Sequence, residues 1–124
     1  MITREQVQQS DVIWVFGDNL QRTGYGGQAA VCRGLRNTVG IVVKLRPDNK
    51  QSSFMKDDKF LQWVEIIKHD IDRIENQILK GKEVYIIKGI GEGLARLPEK
   101  APKLFDYLTK KLNHLIDLGA EYRS

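Results

Sequence analysis

The stretch Asp11-Val12-Ile13-Trp14-Val15-Phe16-Gly17-Asp18-Asn19 decides the fold class of this chain. Residues 11–16 are a short run, rich in β-branched and aromatic side chains, that stops at Gly17. Such a run is typical of a strand that is buried on both faces. The residues that follow, up to Gly27, are rich in glycine. The stretch therefore predicts a buried strand that opens into a glycine-rich loop.

Two later segments have the same character and predict two more buried strands, over 39–45 and 84–87. The second of them opens into another glycine-rich loop, 89–94. Helical periodicity separates the strands. It predicts a short helix over 28–35, a long helix from Asp57 or Asp58 to Lys80-Gly81-Lys82, and a last helix that begins near Pro98 and ends at Gly119. The predicted core stripes are Phe60, Trp63, Val64, Ile67, Ile71, Ile74 and Ile78 in the long helix, and Ala101, Leu104, Phe105, Leu108, Leu112, Leu115 and Ile116 in the last helix.

The alternation of strands and helices is typical of an α/β domain. We expect a three-layer α/β/α arrangement around a small, largely parallel central sheet. The chain has 124 residues and 41% hydrophobic residues, which suits one domain with its own core. No linker, repeat or low-complexity segment divides it, so residues 1–124 are predicted to form a single domain.

Composition excludes several classes of protein. No apolar run approaches the ~20 residues that span a bilayer, and the N-terminus has no signal-peptide core. We therefore expect a cytoplasmic protein without a membrane partner. One cysteine, Cys32, and two histidines, His69 and His114, are too few for a metal cluster, so neither a metal nor a cofactor is expected. Cys32 is interpreted as a small buried hydrophobic residue and the histidines as surface residues.

The two glycine-rich loops, 17–27 and 89–94, both follow the carboxyl end of a predicted strand. Ligands of open α/β sheets bind outside that edge. Glycine lets backbone N–H groups approach a ligand, and a following helix N-terminus favours phosphate oxygens. The pair predicts a clamp for a diphosphate; the alternative is that the glycines serve only tight turns. Neither loop carries an NTPase P-loop or a Gly-x-Ser-x-Gly nucleophile elbow.

Both loops also resemble those of a known family. Val15-Phe16-Gly17-Asp18-Asn19-Leu20, followed by Gly24-Tyr25-Gly26-Gly27-Gln28-Ala29-Ala30, resembles the first ligand loop of macrodomains. Gly89-Ile90-Gly91-Glu92-Gly93-Leu94-Ala95-Arg96-Leu97 resembles their second loop, especially in the branch of the terminal ADP-ribose glycohydrolases. The chain is also similar to an uncharacterised bacterial and phage family with a Phe-Gly-x-Asn start and a Gly-x-Gly-Leu end. The resemblance implies a macrodomain-like fold that binds ADP-ribose or a derivative, with hydrolysis of ADP-ribosyl bonds in some members.

The resemblance implies a set of ligand-binding residues. Asn19 would face the distal ribose, the glycines of the first loop would wrap that sugar, and the second loop would line the diphosphate. Lys44 and Arg46 end the second predicted strand, where they would neutralise a phosphate or else remain solvated. The candidate ligand-binding residues are Gly17, Asn19, Gly24, Tyr25, Gly26, Gly27, Lys44, Arg46, Gly89, Ile90, Gly91, Glu92, Gly93 and Leu94.

The catalytic residue of the glycohydrolase branch is missing. An aspartate follows Gly-Leu there, and this chain has Ala95, which can neither take a proton nor attack a sugar carbon. Asp18 is the carboxylate beside the first loop, so Asp18 and Asn19 are the catalytic candidates, with Asp18 activating water. The alternative for Asp18 is a turn cap. Glu92 is expected at an exposed loop tip.

Aromatic residues and a polar loop complete the predicted site. Tyr25 and Phe54 are candidate stacking surfaces for an adenine, and residues 52–54 are a candidate flap over the pocket. Trp14 and Trp63 are interpreted as core residues because each lies within an apolar stripe.

Three functions are weighed on these grounds. The first is a binder of ADP-ribose or a related nucleotide derivative, with hydrolase activity left open. The second is a nucleotide-processing enzyme on a related α/β scaffold. The third, placed last, is a nucleic-acid accessory protein: the net charge of +4 weakly favours anionic partners, but no stacking platform or DNA-reading helix is evident. The oligomeric state is left open.

Overall fold

A computed structural model describes residues 1–123 of the chain. Three short 3-10 turns lie at Gln51–Ser53, Asp57–Lys59 and Gly93–Ala95. The helices and strands in chain order are α1 (Arg4–Gln9), β1 (Ile13–Asn19), α2 (Ala29–Cys32), β2 (Thr38–Lys44), α3 (Phe60–Leu79), β3 (Val84–Ile86), α4 (Leu97–Lys100) and α5 (Pro102–Arg123).

The sheet has three strands in the order β2-β1-β3, and both neighbours of β1 run parallel to it. In the register, Phe16 of β1 lies opposite Gly40 of β2, and Val15 lies opposite Ile86 of β3. All three strands therefore end at the same edge, which is where the two glycine-rich loops begin. The α/β fold with a small parallel sheet is confirmed.

Helices cover both faces of the sheet. Successive side chains of a strand point to opposite faces, so Val15 belongs to one core cluster and Phe16 to the other. The larger cluster lies under α3 and α5, whereas the smaller one includes Val7 of α1 and Cys32 of α2. The three layers of the predicted α/β/α arrangement are these two helix layers and the sheet between them.

Several predicted elements are confirmed. The stripe of α3 is buried at Trp63 and at every isoleucine that was assigned to it. Gly81 ends this helix in a left-handed conformation (φ +84°), and the amide of Lys82 donates to the carbonyl of Gln77, as in a Schellman cap. Cys32 is buried, which raises the pKa of its thiol to about 11. His69 and His114 are exposed.

The predicted ends of the first strand and of the short helix are wrong. β1 continues past Gly17 to Asn19, because β2 pairs with it as far as that residue. α2 contains four residues rather than the predicted span 28–35. Gly34 follows it in a left-handed conformation (φ +86°), which ends helical hydrogen bonding.

The third strand is not buried. β3 is an edge strand of three residues, and Tyr85 is 43% exposed. The periodicity of a short apolar run cannot distinguish an edge strand from a central one. Trp14 is only partly buried for the same reason, because its ring packs edge-on against Tyr85 with 4.9 Å between the centroids.

The last predicted helix is two helices. Pro98 lies in the single turn α4, and α5 begins at Pro102. A proline disfavours helical geometry in the residue before it, and Ala101 indeed leaves the helical region (φ −148°, ψ 68°). Gly119 does not end α5, which continues to Arg123, and Ile116 of the predicted stripe is exposed.

The sequence also contains a helix that the periodicity did not predict. α1 begins with a capping box: Thr3 Oγ1 accepts from the Gln6 amide at 3.1 Å, and Gln6 Oε1 accepts from the Thr3 amide at 2.8 Å. The Ser/Thr-x-x-Glu/Gln pattern is the local signal that would have found it. Among residues 1–123, no helix is both long and apolar enough to cross a bilayer.

Candidate ligand cleft

The two glycine-rich loops meet. We call residues 17–27, which include the end of β1, the first loop, and residues 89–94 the second loop. Between them lies a cleft of about 180 Å³. The predicted residues that line it are Gly17, Asp18, Asn19, Gly24, Gly26, Gly27, Lys44, Gly89, Gly91, Glu92, Gly93 and Leu94. The lining residues that were not predicted as ligand-binding are Thr23, Gln28, Ala29, Arg33, Val43, Pro47 and Ala95.

Three predicted ligand residues lie outside this lining. Ile90 is buried in the larger core, where it packs near Gly17. Tyr25 is 64% exposed and does not line the cleft. Arg46 donates to Ser53 Oγ at 3.1 Å and to Ser52 Oγ, so its guanidinium braces the loop after β2. These placements correct the assignment of the three side chains to the pocket.

Gln28 holds the two strands apart at the base of the cleft. The backbones of β1 and β3 still pair where the Ile87 amide donates to the carbonyl of Val15, at 3.0 Å. One step further, Gln28 Oε1 accepts from the Gly17 amide at 2.8 Å, and Gln28 Nε2 donates to the carbonyl of Lys88 at 2.7 Å. A side-chain amide therefore joins the two backbones where a direct pairing has ended. The cleft opens beyond this bridge.

The Asp18 carboxylate is buried and fully engaged. Oδ1 accepts from the Asn19 amide at 2.8 Å and from Arg33 Nη2, and Oδ2 accepts from Arg22 Nη1 at 3.3 Å. Arg33 also donates through Nε to the carbonyl of Gly24. The aspartate thus fixes two arginines at the first loop. This is more than a turn cap, and it leaves the carboxylate oxygens little capacity to activate a water.

Asp70 extends these ion pairs to the far side of the sheet. This fully buried residue of α3 accepts from Arg22 Nη2 at 2.8 Å and from the Val42 amide at 2.9 Å. Arg22 also donates to the carbonyl of Gly40 at 3.0 Å. We call Asp70, Arg22, Asp18 and Arg33 the charge chain. Its charges alternate in sign and tie α3, β2 and the first loop together.

Asn19 carries an unpaired acceptor at the cleft. The residue is 8% exposed, and its Nδ2 donates to the carbonyl of Thr23 at 2.7 Å. Its Oδ1 is buried, and no described residue donates to it. A buried acceptor without a donor costs about 1–3 kcal/mol, so this oxygen favours a ligand that brings a hydrogen-bond donor.

Lys44 places a buried cation at the same cleft. It is 6% exposed, its Nζ donates to Asn49 Oδ1 at 3.2 Å, and the ammonium lies 4.9 Å from the centre of the Phe54 ring. Burial lowers the pKa of Lys44, while the nearby Asp48 acts in the opposite direction. Within residues 1–123 no carboxylate forms an ion pair with this ammonium. The charge is therefore available to an anion.

Phe54 is not a stacking surface. Its ring is 4% exposed, and besides Lys44 it has the cations of Arg96 and Lys100 at 5.7 and 5.2 Å from its centre. The predicted exposure of Phe54 is wrong because the loop after β2 folds inward. The predicted flap is likewise tied down, since the amide of Leu45 donates to the carbonyl of Ser53 at 2.8 Å.

The second loop combines core packing with free donors. Gly91 has a left-handed conformation (φ +88°), and a Cβ there would lie 2.9 Å from side-chain atoms of both Leu97 and Leu108. In the described chain, no backbone carbonyl accepts from the amides of Gly93 and Leu94. Glu92 is exposed at the loop tip, as predicted, and the side chain at position 95 is a buried alanine. The loop thus offers backbone donors and no buried acid.

The fold and the cleft define a small α/β protein whose parallel strands end at a cleft of polar and cationic character. The chain belongs to a family of unknown function, DUF7831, whose model matches residues 1–111. That span contains both loops, the charge chain and Lys44. No curated protein and no solved structure matches the chain. In the part of the chain that is described, no three His, Cys, Asp or Glu residues are grouped as metal ligands.

Proposed function

We propose that the cleft binds ADP-ribose or a related nucleotide derivative, with the phosphates between the two loops and the Lys44 ammonium. The observation that carries the proposal is the buried ammonium without a carboxylate partner, beside two glycine-rich loops. A buried charge is costly unless it is paired. A phosphate would supply the missing partner, and the free amides of Gly93 and Leu94 would add charge-assisted hydrogen bonds.

The proposal is tested by calorimetric titration with ADP-ribose. Hydrogen bonds to charged groups contribute about 1.5–3 kcal/mol, so Lys44→Met should weaken binding by about tenfold or more. The matched control is Lys80→Met, because Lys80 is an exposed lysine at the end of α3; its affinity should equal that of the wild type. No heat of binding at high micromolar ADP-ribose would contradict the proposal.

We further propose that the ligand is bound without bond cleavage. Ala95 cannot act as an acid or a base, and the oxygens of Asp18 are engaged by Arg22, Arg33 and the Asn19 amide. Chromatography after incubation with ADP-ribosylated peptide and with a panel of nucleotides should therefore show no product. A product that forms with the wild type and not with Asp18→Asn would instead favour the hydrolase.

A further inference from the structure

The volume of the cleft limits how much of a nucleotide it can enclose. Pockets that bury drug-sized ligands have volumes of ~300–1,000 Å³, and this cleft has about 180 Å³. ADP-ribose consists of a base, two riboses and two phosphates. Only one end of such a molecule fits inside, and the rest would extend past Leu94 and the first loop.

The side chains around the cleft bear on which end enters. None of the residues that line it, within the described chain, is aromatic. Phe54 is buried under three cations, and Tyr25 is exposed outside the lining. Protein sites that hold an unpaired base commonly do so by stacking it on an aromatic ring. The cleft has no such surface for a purine.

Two polar groups inside the cleft match a phosphorylated sugar. Asn19 is more than nine-tenths buried, and its Oδ1 has no donor among the described residues. A sugar hydroxyl is a donor of suitable size, whereas a phosphate dianion has no hydrogen to give. Lys44 supplies the complementary cation. One site therefore offers an acceptor for a hydroxyl and a cation for a phosphate.

From this combination we infer that the cleft recognises the sugar-phosphate end of its ligand and does not recognise the base. The inference rests on the proposed function and narrows its ligand class to pentose phosphates, free or at the end of a larger nucleotide. Ribose 5-phosphate is the smallest compound of that class with both groups. The base would lie outside the cleft, where its identity has little influence on affinity.

The test compares four compounds by calorimetry: ADP-ribose, its guanine analogue, ribose 5-phosphate and inorganic phosphate. We expect ribose 5-phosphate to bind within about fivefold of ADP-ribose, and the guanine analogue within about threefold. Inorganic phosphate should bind at least tenfold more weakly than ribose 5-phosphate.

The outcomes separate the two proposals. If ADP-ribose binds but ribose 5-phosphate does not, or if guanine costs more than tenfold, the base is recognised and the inference is wrong while the proposed function stands. If ribose 5-phosphate binds no better than inorganic phosphate, the sugar is not recognised and the inference also fails. If neither ADP-ribose nor ribose 5-phosphate binds, the proposed function itself is overturned.

Two variants assign the two groups. Asn19→Leu keeps the approximate size of the side chain and removes the acceptor, so it should lose affinity for ribose 5-phosphate and retain that for inorganic phosphate. Lys44→Met should lose both. Retained phosphate binding by Asn19→Leu also shows that the variant is folded, and the comparison of ligands on the wild-type protein decides the inference if it is not. Equal affinity of Asn19→Leu and wild type for ribose 5-phosphate would contradict the role of Asn19.

Discussion

At the scale of single residues, the cleft depends on groups that have no freedom to change size or charge. Gly40 is an example. Its place in β2 faces the Asp18 side chain, and a Cβ built there would lie 2.6 Å from Asp18 Oδ2 and 3.0 Å from Arg22 Nη1. The glycine is therefore required by the close approach of a buried ion pair.

Gly40→Ala should destabilise the protein. Overpacking of a buried position costs about 1–3 kcal/mol, because Asp18 or β2 must move to admit the methyl group. Urea unfolding measures the change. Gly119→Ala is the matched control: Gly119 lies inside α5, and the nearest atom to an added Cβ is Arg123 Nη1 at 3.8 Å. Alanine is the better helix former there, so stability should rise by about 0.4–1 kcal/mol. Equal effects at both positions would show that the contact with Asp18 is not limiting.

Lys44 should make both stability and ligand affinity depend on alkaline pH. Burial lowers the pKa of Lys44 in the folded protein, whereas in the unfolded chain it is near ~10.4. Between these values the unfolded state binds more protons, so stability rises with pH across that window. Affinity for a phosphate falls over the same window because the ammonium loses its charge.

The measurement is a titration of ribose 5-phosphate affinity and of urea stability at pH 7 to 10.5. Lys44→Met should remove the part of the stability slope that Lys44 contributes, and Lys80→Met should leave the slope unchanged. An affinity that stays constant up to pH 10.5 would mean that Lys44 does not contact the phosphate.

At the scale of elements, α3 supports the first loop from the other side of the sheet. Asp70 is the point of contact. It accepts from the backbone of β2 and from Arg22, which in turn holds Asp18. The order of the loop therefore depends on a helix residue that does not line the cleft.

Asp70→Asn should lower both stability and affinity. Breaking a buried ion pair costs about 3–5 kcal/mol, but the Arg22 side chain is partly exposed, so screening reduces the loss to about 1–2 kcal/mol. Affinity for ADP-ribose should fall several-fold because Arg22 holds Asp18 less firmly.

Unfolding curves and calorimetry on the same samples measure the two effects of Asp70→Asn. The control is Asp72→Asn on the same helix, since Asp72 forms an exposed pair with Lys68 at 3.1 Å; it should change stability by less than about 0.5 kcal/mol. A loss of stability in Asp70→Asn with unchanged affinity would separate α3 from the cleft.

At the scale of the whole molecule, the two helix layers are unequal. One consists of the long helices α3 and α5, and the other of α1 and α2, with six and four residues. The smaller layer buries fewer apolar side chains. Local opening is easiest where few apolar contacts hold an element.

Hydrogen exchange should therefore show the α1 and α2 amides exchanging well before those of α3 and β1. Because α2 follows the first loop, a bound ligand should slow exchange in α2 and in both loops. It should leave the C-terminal half of α5 unchanged, which serves as the internal control. Uniform protection of both layers without ligand would contradict this difference in stability.

How much the sequence predicted depends on the range of the interactions involved. The order of the elements, the stripe and end of α3 and the burial of Cys32 follow from periodicity and local caps, which the sequence contains directly. The two loops meet as expected because parallel strands bring their carboxyl ends to one edge. Tyr85 and Phe54 were misassigned because the exposure of a short apolar segment depends on what packs against it.

The sequence by itself determined the α/β class, the three strands and the glycine-rich loops, because propensity and periodicity act over a few neighbouring residues. Only the tertiary structure decided that Asp18 is paired with two arginines and that Asp70, 48 residues after Arg22, belongs to the same charge chain. It alone revealed the unpaired Oδ1 of Asn19 and the buried ammonium of Lys44. Pairing and burial of polar groups depend on contacts between segments that are distant in the sequence, and no local pattern contains them.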